Sequence, residues 1–396
     1  MNKRMLTFLL FMIFTICAFY FLALQKTLFD IGLTYKLTGS QKGNLVTVSS
    51  LGYIAANLVG GYLSESLGKK QVILAGLLLS TAGAFLFAHI SSLKITPYSY
   101  YLALLLVFFI GAGSGVMDGI SNALIIDLHP ERKAIYLNLS HAFFAIGAVG
   151  GPVIAGYLMQ LFNWQSVYYF LGLVSLLFLF PFAFQRCPSP KKGKEKINIK
   201  AIEHLLKNRI FLSLNLCMLL YVGAEIGLGS WLCEYLRVSE YFRLSQMESG
   251  IFLSYFWIAM LIGRFIYGSL VERSSYTLAL SISSVGGIIC ILAFLLTRQL
   301  TLAAISIFLY GLFLSGMFAT IISLGGEKFS RYSGATSGIL VASGGIGGAI
   351  FPNLIGRISD IKALGLRVGF GVCILCLVGI LVIILSISRS QLEQKS

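Results

Sequence analysis

The sequence predicts an all-α membrane protein with twelve transmembrane helices in two six-helix bundles. Three observations support this prediction: the 396-residue chain is 57% hydrophobic, only 11% of its residues are charged, and its apolar residues fall into twelve long runs. A soluble domain of this composition would expose too much apolar surface. A helix of about 20 apolar residues is long enough to cross a bilayer.

The runs are separated by short polar segments, and one hydrophilic stretch is longer than the others. The runs cover residues 5–34, 43–64, 72–91, 99–126, 134–160, 164–184, 209–233, 246–270, 277–297, 301–324, 333–356 and 366–387. The longest hydrophilic stretch, residues 185–208, divides the runs into two groups of six. We therefore predict an N-terminal bundle over residues 1–184, a cytoplasmic linker over 185–208 and a C-terminal bundle over 209–396.

Basic residues indicate the orientation of the chain, because cytoplasmic loops of membrane proteins carry an excess of Lys and Arg. With a cytoplasmic N-terminus, the inner segments hold roughly twice as many Lys and Arg residues as the outer segments. Both termini are therefore predicted to be cytoplasmic, in a multi-pass protein of the inner (cytoplasmic) membrane. The net charge of +15 lies in these short segments and not on one folded basic face, so no nucleic-acid partner is expected.

The fourth run carries a carboxylate near its middle, Asp118. A charged side chain at this depth costs roughly 2.5–3.5 kcal/mol on insertion scales, so it must face a cavity or a partner helix. Asn122 lies one helical turn later on the same face. This stretch predicts a protonatable or solute-binding site. The alternative is a buried carboxylate with a structural role, paired with another helix. Small residues that let neighbouring backbones approach surround it: Gly111, Gly113, Gly115 and Gly119.

Short matches recur about 200 residues apart, in corresponding runs of the two halves. Two similar six-helix halves are one way to build alternating access, with a site near the midplane between them. The matching pairs are Gly61 and Glu65 with Gly268 and Glu272, and Pro152 and Gly156 with Pro352 and Gly356.

The segment GYLSESLGKK, residues 61–70, resembles the loop signature of the major facilitator superfamily, with Glu65 where aspartate is usual. Its glycines allow a tight turn against a neighbouring helix, and its basic pair holds the loop on the inner side. The resemblance implies conformational gating and does not indicate the solute. Arg264, in the inner half of the eighth run, is expected to act as a clamp that pairs with loop carboxylates. The predicted gating residues are Gly61, Glu65, Gly68, Lys69, Lys70 and Arg264.

Within that superfamily, the chain resembles the fucose/glucose–proton symporter family of the fucose permease type. The blocks that carry the resemblance are LALQKTLFD, GVMDGISN, LNLSHAFFAIGA, YVGAEIGLGSWL and FWIAMLIGRF, in the order of the family. In that family an aspartate of the first helix and an acid of the fourth handle the proton or the sugar. The resemblance thus implies proton coupling by Asp30 and Asp118, and a place near the sugar path for Glu225.

Two residues depart from the pattern of that family. Lys26 stands where an uncharged polar residue is expected. It lies one helical turn before Asp30, close enough for an ion pair. Such a pair would favour the charged form of the Asp30 carboxylate. His141 stands where glutamine is expected, and it either titrates near pH 7 or hydrogen-bonds a neighbouring helix. Together they suggest an anionic or altered solute. Tyr221 and Trp257 are candidates for stacking on a sugar, although aromatic packing at the membrane interface uses the same residue types.

These observations predict a secondary transporter that imports a small polar solute, with a sugar as the first candidate, together with protons by alternating access. Sodium in place of protons and an organic anion in place of a sugar stay open. Proton-coupled drug or metabolite efflux is also open, because residues 147–158 resemble the fifth-helix motif of drug antiporters through Gly147, Gly151 and Pro152.

The remaining expectations concern chemistry and partners. The four histidines are scattered, and the sequence has neither an HExxH motif nor a Cys/His cluster. The sequence therefore predicts no enzyme, no cofactor and no metal site. The expected partners are the solute, its coupling protons and the lipid bilayer, and the expected assembly is a monomer.

Overall fold

The computed structural model describes residues 3–90, 97–187, 205–273, 275–329 and 333–393. In these ranges the chain forms helices and turns, without a strand. Within the same ranges, twelve helical segments are long and apolar enough to cross a membrane. The predicted all-α membrane fold is confirmed, and the chain is a multi-pass membrane protein.

The helices follow the predicted apolar runs with two interruptions, one in the tenth run and one at Phe370 in the twelfth. The first half of the chain holds α1 (Lys3–Tyr35), α2 (Gly39–Ser66), α3 (Lys69–Ile90), α4 (Pro97–Leu128), α5 (Lys133–Leu161) and α6 (Trp164–Ala183). The second half holds α7 (Arg209–Val238), α8 (Gln246–Arg273), α9 (Tyr276–Leu296), α10 (Leu300–Leu314), α11 (Met317–Lys328), α12 (Ser333–Ser359), α13 (Gly365–Gly369) and α14 (Gly371–Glu393). The tenth predicted run is divided between α10 and α11, because the chain turns at Ser315 and Gly316.

Polar residues at the helix ends explain several of these boundaries. Thr38 and Gln41 form a capping box at the start of α2, in which each side chain accepts the backbone N–H of the other. Asn163 and Asn208 cap α6 and α7 through their side-chain oxygens. Gly68 has a φ of 94° in the turn between α2 and α3, a conformation that favours glycine.

The chain forms two compact units, which are described separately. The first unit contains the described residues within Met1–Glu195 together with Leu244–Ser254 at the start of α8. Within it, α4 packs along α2 and α3, and α1 packs along α4, α5 and α6. The first span has the largest buried share of the twelve, 72%, so α1 is the core helix of this unit.

The second unit contains the described residues within Lys196–Arg243 and Tyr255–Ser396. Within it, α7 packs along α12 and α14, and α9 packs along α10 and α14. Trp231 of α7 is fully buried, and its indole N–H donates to the backbone oxygen of Pro352 on α12 at 2.9 Å. This hydrogen bond joins α7 to α12 at the proline inside α12.

Of the predicted linker, residues 188–204 lie outside the described residues. The predicted boundaries of the two bundles therefore stay predictions.

Candidate functional site

The carboxylate of Asp118 is held by donors from two helices of the first unit. The hydroxyl of Tyr53, on α2, donates to Oδ2 of Asp118. The side-chain amide of Asn122 donates to Oδ1 at 3.3 Å and to the backbone oxygen of Asp118 at 3.0 Å. These donors replace part of the hydration that the carboxylate loses inside the membrane.

Close contact between α2 and α4 brings Tyr53 to Asp118. A Cβ atom added to Gly115 would lie inside the van der Waals distance of the backbone oxygen of Tyr53. One turn later, a Cβ atom at Gly119 would overlap the side-chain oxygen of Asn57. Because both positions are glycine, the two backbones approach closely enough for the phenol to reach the carboxylate.

Two further helices bring polar groups towards this carboxylate. His141, on α5, lies within electrostatic range of Asp118, and its ring packs against Phe14 of α1 with centroids 5.9 Å apart. Cys17, also on α1, interacts electrostatically with Asp118 and donates its thiol hydrogen to the backbone oxygen of Ser114. We call Tyr53, Asn57, Asp118, Asn122 and His141 the Asp118 cluster. Its groups can exchange a proton and offer both donors and acceptors to a hydroxylated solute.

Sequence reasoning identified Asp118, Asn122 and His141 but missed Tyr53 and Asn57. A weak signal was available: α2 has the lowest mean hydropathy of the twelve spans, 1.2. Tyr53 and Asn57 are one turn apart on this helix, so they share a face. A polar stripe on a poorly apolar span indicates that this face does not contact lipid.

Asp30 and Lys26 lie in a different part of the first unit, at the end of α1. Oδ1 of Asp30 accepts a hydrogen bond from the side-chain amide of Gln246 at 3.1 Å. Lys26 is fully buried, and its ammonium lies 3.4 Å from the hydroxyl of Ser249. Both partners belong to the start of α8. The ion pair between Lys26 and Asp30 stays a prediction.

The second unit holds its own buried carboxylate, Glu225 on α7. It is hydrogen-bonded to the hydroxyl of Tyr221, one turn earlier on the same helix. Arg264 of α8 lies within electrostatic range of Glu225, a partner inside the membrane span, whereas the sequence suggested loop carboxylates. Trp257 is buried on α8. Each unit thus pairs a carboxylate with a tyrosine hydroxyl.

The predicted gating segment is tied to the helix that carries Asp118. The ammonium of Lys69 lies 2.6 Å from Oδ2 of Asp127 and donates to the backbone oxygen of Ala123 at 3.1 Å. Both partners lie in the last turns of α4. Glu65 is exposed, and Lys70 is half-buried. A displacement of the turn between α2 and α3 would therefore act directly on α4.

The geometry and the comparisons together define the class of this protein. Twelve membrane spans and hydrogen-bonded carboxylates inside them are typical of a transporter, since ionisable groups at this depth mark solute and proton paths. The sequence model of the Major Facilitator Superfamily matches residues 5–352, and the chain belongs to this superfamily. It is a transporter and not an enzyme. In the described part of the chain, no group of three or more His, Cys, Asp or Glu side chains could hold a metal ion.

Relatives and solved structures agree with this assignment. The chain is 26% identical over 336 residues to a glucose/galactose transporter of Brucella abortus, covering 82% of this chain and 80% of the relative. It is 25% identical to a putative glucose/galactose transporter of Helicobacter pylori, covering 82% of each chain. The predicted family resemblance is confirmed.

Among solved structures, an inward-facing bacterial homolog of the human lysosomal transporter Spinster superimposes with a TM-score of 0.85, at 16% identity, over 99% of this chain and 98% of that one. The E. coli fucose:proton symporter FucP gives a TM-score of 0.61 at 22% identity, over 93% and 97% of the two chains. These similarities establish the fold.

Proposed function

We propose that this protein takes up a sugar together with protons by alternating access. The observation that supports this proposal is the Asp118 cluster, in which a carboxylate inside a membrane span is held by a phenol and an amide. These donors stabilise the charged form, while the low-dielectric surroundings favour the protonated form. The balance between the two suits a group that must both take up and release a proton.

The coupling follows from the cost of charge in a dry site. A proton from the outer side neutralises Asp118, and the neutral carboxyl can donate a hydrogen bond to a solute hydroxyl. The loaded protein then converts to its inward-open state without carrying an isolated charge through a dehydrated site. Release of the solute and the proton restores the carboxylate. Solute and proton are coupled because both favour the same occluded state.

The solute class is supported by the names of the relatives and by the residue types of the Asp118 cluster and of the pair Tyr221 and Glu225. Two relatives are named for glucose and galactose, and one structural neighbour for fucose. Asn57, Asn122 and His141 offer the donors and acceptors that a polyhydroxylated ring requires. In the second unit, Tyr221 and Glu225 offer the same chemistry. A neutral hexose is therefore the proposed solute.

The cellular setting is also proposed here. The excess of Lys and Arg in the predicted inner segments supports a cytoplasmic location of both termini. We place the protein in the inner membrane, as a monomer within the lipid bilayer.

Uptake into proteoliposomes tests the proposed function. Purified protein is reconstituted, an acid-outside pH gradient is imposed, and labelled glucose, galactose and fucose are supplied in separate assays. Accumulation of at least one hexose above the level in protein-free liposomes, and its loss with a protonophore, is the expected result. The proposal would be contradicted if accumulation required a sodium gradient. It would also be contradicted if no hexose accumulated.

Import of an organic anion is a second candidate, favoured by a cation buried in the first unit, Lys26. In the same assay, gluconate replaces the hexose. If this candidate is correct, gluconate accumulates and Lys26→Gln weakens its apparent affinity. An unchanged affinity of the variant for gluconate would remove the basis of this candidate.

Replacement of Tyr53 by phenylalanine is expected to move the pH dependence of uptake. The phenol donates to the charged form of Asp118, so its loss favours the protonated carboxyl, and protonation persists to higher pH. A hydrogen bond to a charged group contributes about 1.5–3 kcal/mol, which corresponds to an upward shift of the midpoint by about one pH unit or more. The measurement is initial uptake rate against external pH.

Tyr157→Phe is the matched control for this experiment, because Tyr157 is an exposed tyrosine of α5. It should leave the midpoint unchanged. A Tyr53→Phe profile that coincides with the wild-type profile would show that the phenol does not influence the coupling carboxylate.

A further inference from the structure

A cavity of about 730 Å³ opens at the end of the first unit, away from the Asp118 cluster. The start of α1, the 3-10 turn Pro130–Arg132 and the first turn of α5 form its walls. Its charged lining consists of Lys3, Arg4, Glu131 and Arg132. The four side chains are exposed. Three cations against one carboxylate give the cavity a positive charge.

The inner wall of this cavity is a fixed stack of rings. His129 lies 2.8 Å from the hydroxyl of Thr7, which ties the end of α4 to α1. Its imidazole stacks on the ring of Tyr136, with centroids 3.4 Å apart and an interplanar angle of 10°. Burial, and then the nearby Lys3 ammonium, lower the pKa of His129, which favours the neutral imidazole. A neutral imidazole leaves the excess positive charge to Lys3, Arg4 and Arg132.

Exposed apolar side chains of α1 lie next to the basic residues of the cavity. Phe8 lines it and is 48% exposed, and Met5 is 38% exposed on the same helix. Since α1 spans the membrane, exposed apolar side chains next to its basic end lie where the headgroup and acyl regions of a bilayer meet. The surface thus changes from cationic to apolar within two helical turns, a pattern that matches a ligand with an anionic head and an apolar tail.

We propose that this cavity binds the phosphate of an anionic phospholipid, with the lipid chains beside Phe8. Arginine recognises phosphate oxygens through paired N–H donors, and Arg4 and Arg132 provide two such groups from two separate elements of the cavity. Basic residues at a membrane surface attract anionic lipids. A bound lipid would join α1 to the connection between α4 and α5.

The proposal is tested by native mass spectrometry of the full-length protein after delipidation in detergent. Phosphatidylglycerol and phosphatidylcholine with the same acyl chains are titrated separately. The wild type should bind phosphatidylglycerol more tightly than phosphatidylcholine. The double variant Arg4→Gln/Arg132→Gln should lose about tenfold or more in apparent affinity for phosphatidylglycerol. The matched control is Arg186→Gln/Arg209→Gln, which removes two exposed arginines outside this cavity and should bind like the wild type.

A gain of affinity distinguishes this proposal from a folding defect. Glu131→Gln removes the carboxylate from the cavity rim, so phosphatidylglycerol should bind roughly fivefold more tightly. Unchanged binding in both the double arginine variant and Glu131→Gln would overturn the proposal, as would equal affinity for the two lipids. Inorganic phosphate and glycerol phosphate are added as competitors. Displacement of the lipid by either one at similar concentration would identify a site for a soluble phosphate and overturn the lipid assignment.

Discussion

Asp118→Asn is expected to abolish uphill accumulation of the solute. Asparagine keeps the size of the side chain and still accepts a hydrogen bond from Tyr53, but it cannot take up a proton. Without that step, a proton gradient cannot drive the solute, and the inside-to-outside ratio should fall to about one because the coupling free energy is lost. The measurement is steady-state accumulation in proteoliposomes under an acid-outside pH gradient.

The same variant should retain solute exchange without a gradient, because binding and the conversion between states do not require net proton movement. This second readout separates a loss of coupling from a loss of folding. Asp360→Asn is the matched control, since Asp360 is an exposed aspartate outside the membrane spans, and it should accumulate solute like the wild type. Gradient-driven accumulation by Asp118→Asn would refute the assignment of Asp118 to proton coupling.

The fold was predictable because membrane insertion imposes a constraint that is visible in a single sequence. Each span must be long and apolar, so the twelve runs mark the twelve membrane spans to within a few residues. The run 99–126 corresponds to Pro97–Leu128, and the run 164–184 to Trp164–Ala183. The turns at Ser315–Gly316 and at Phe370 were not predicted, because a break inside an apolar run changes the backbone and not the hydropathy.

The candidate site was predictable only where its geometry is local. Asn122 was assigned to Asp118 because residues four apart on a helix are neighbours, and the structure has this hydrogen bond. Tyr53 is 65 residues from Asp118 in the chain, so their contact depends on which helices pack together. The sequence indicated that α4 would approach another backbone closely, through its glycines, but not that the other helix would be α2. Arg264 is a similar case, because its neighbour Glu225 lies on a different helix.

Gly115→Ala is expected to lower both stability and transport, because it adds a methyl group where α4 packs closely against α2. The added methyl group would overlap the backbone oxygen of Tyr53, so α2 must move away from α4. Overpacking of this kind costs about 1–3 kcal/mol. The same displacement withdraws the Tyr53 hydroxyl from Asp118. We expect a lower midpoint of thermal unfolding in detergent, and a pH dependence of the remaining uptake that is shifted in the same direction as in Tyr53→Phe.

Gly338→Ala provides the control, because nothing lies within 4 Å of a Cβ atom built on this helical glycine of α12. Alanine is favoured over glycine inside a helix by about 1 kcal/mol, so this variant should be as stable as the wild type or more stable. If Gly115→Ala matched Gly338→Ala in both stability and pH dependence, the close contact between α2 and α4 would not be what positions the phenol. If Gly115→Ala lowered stability but left the pH dependence of uptake unchanged, Gly115 would contribute only to helix packing. A fall in stability together with the shifted profile would connect one missing methyl group to the chemistry of the buried carboxylate.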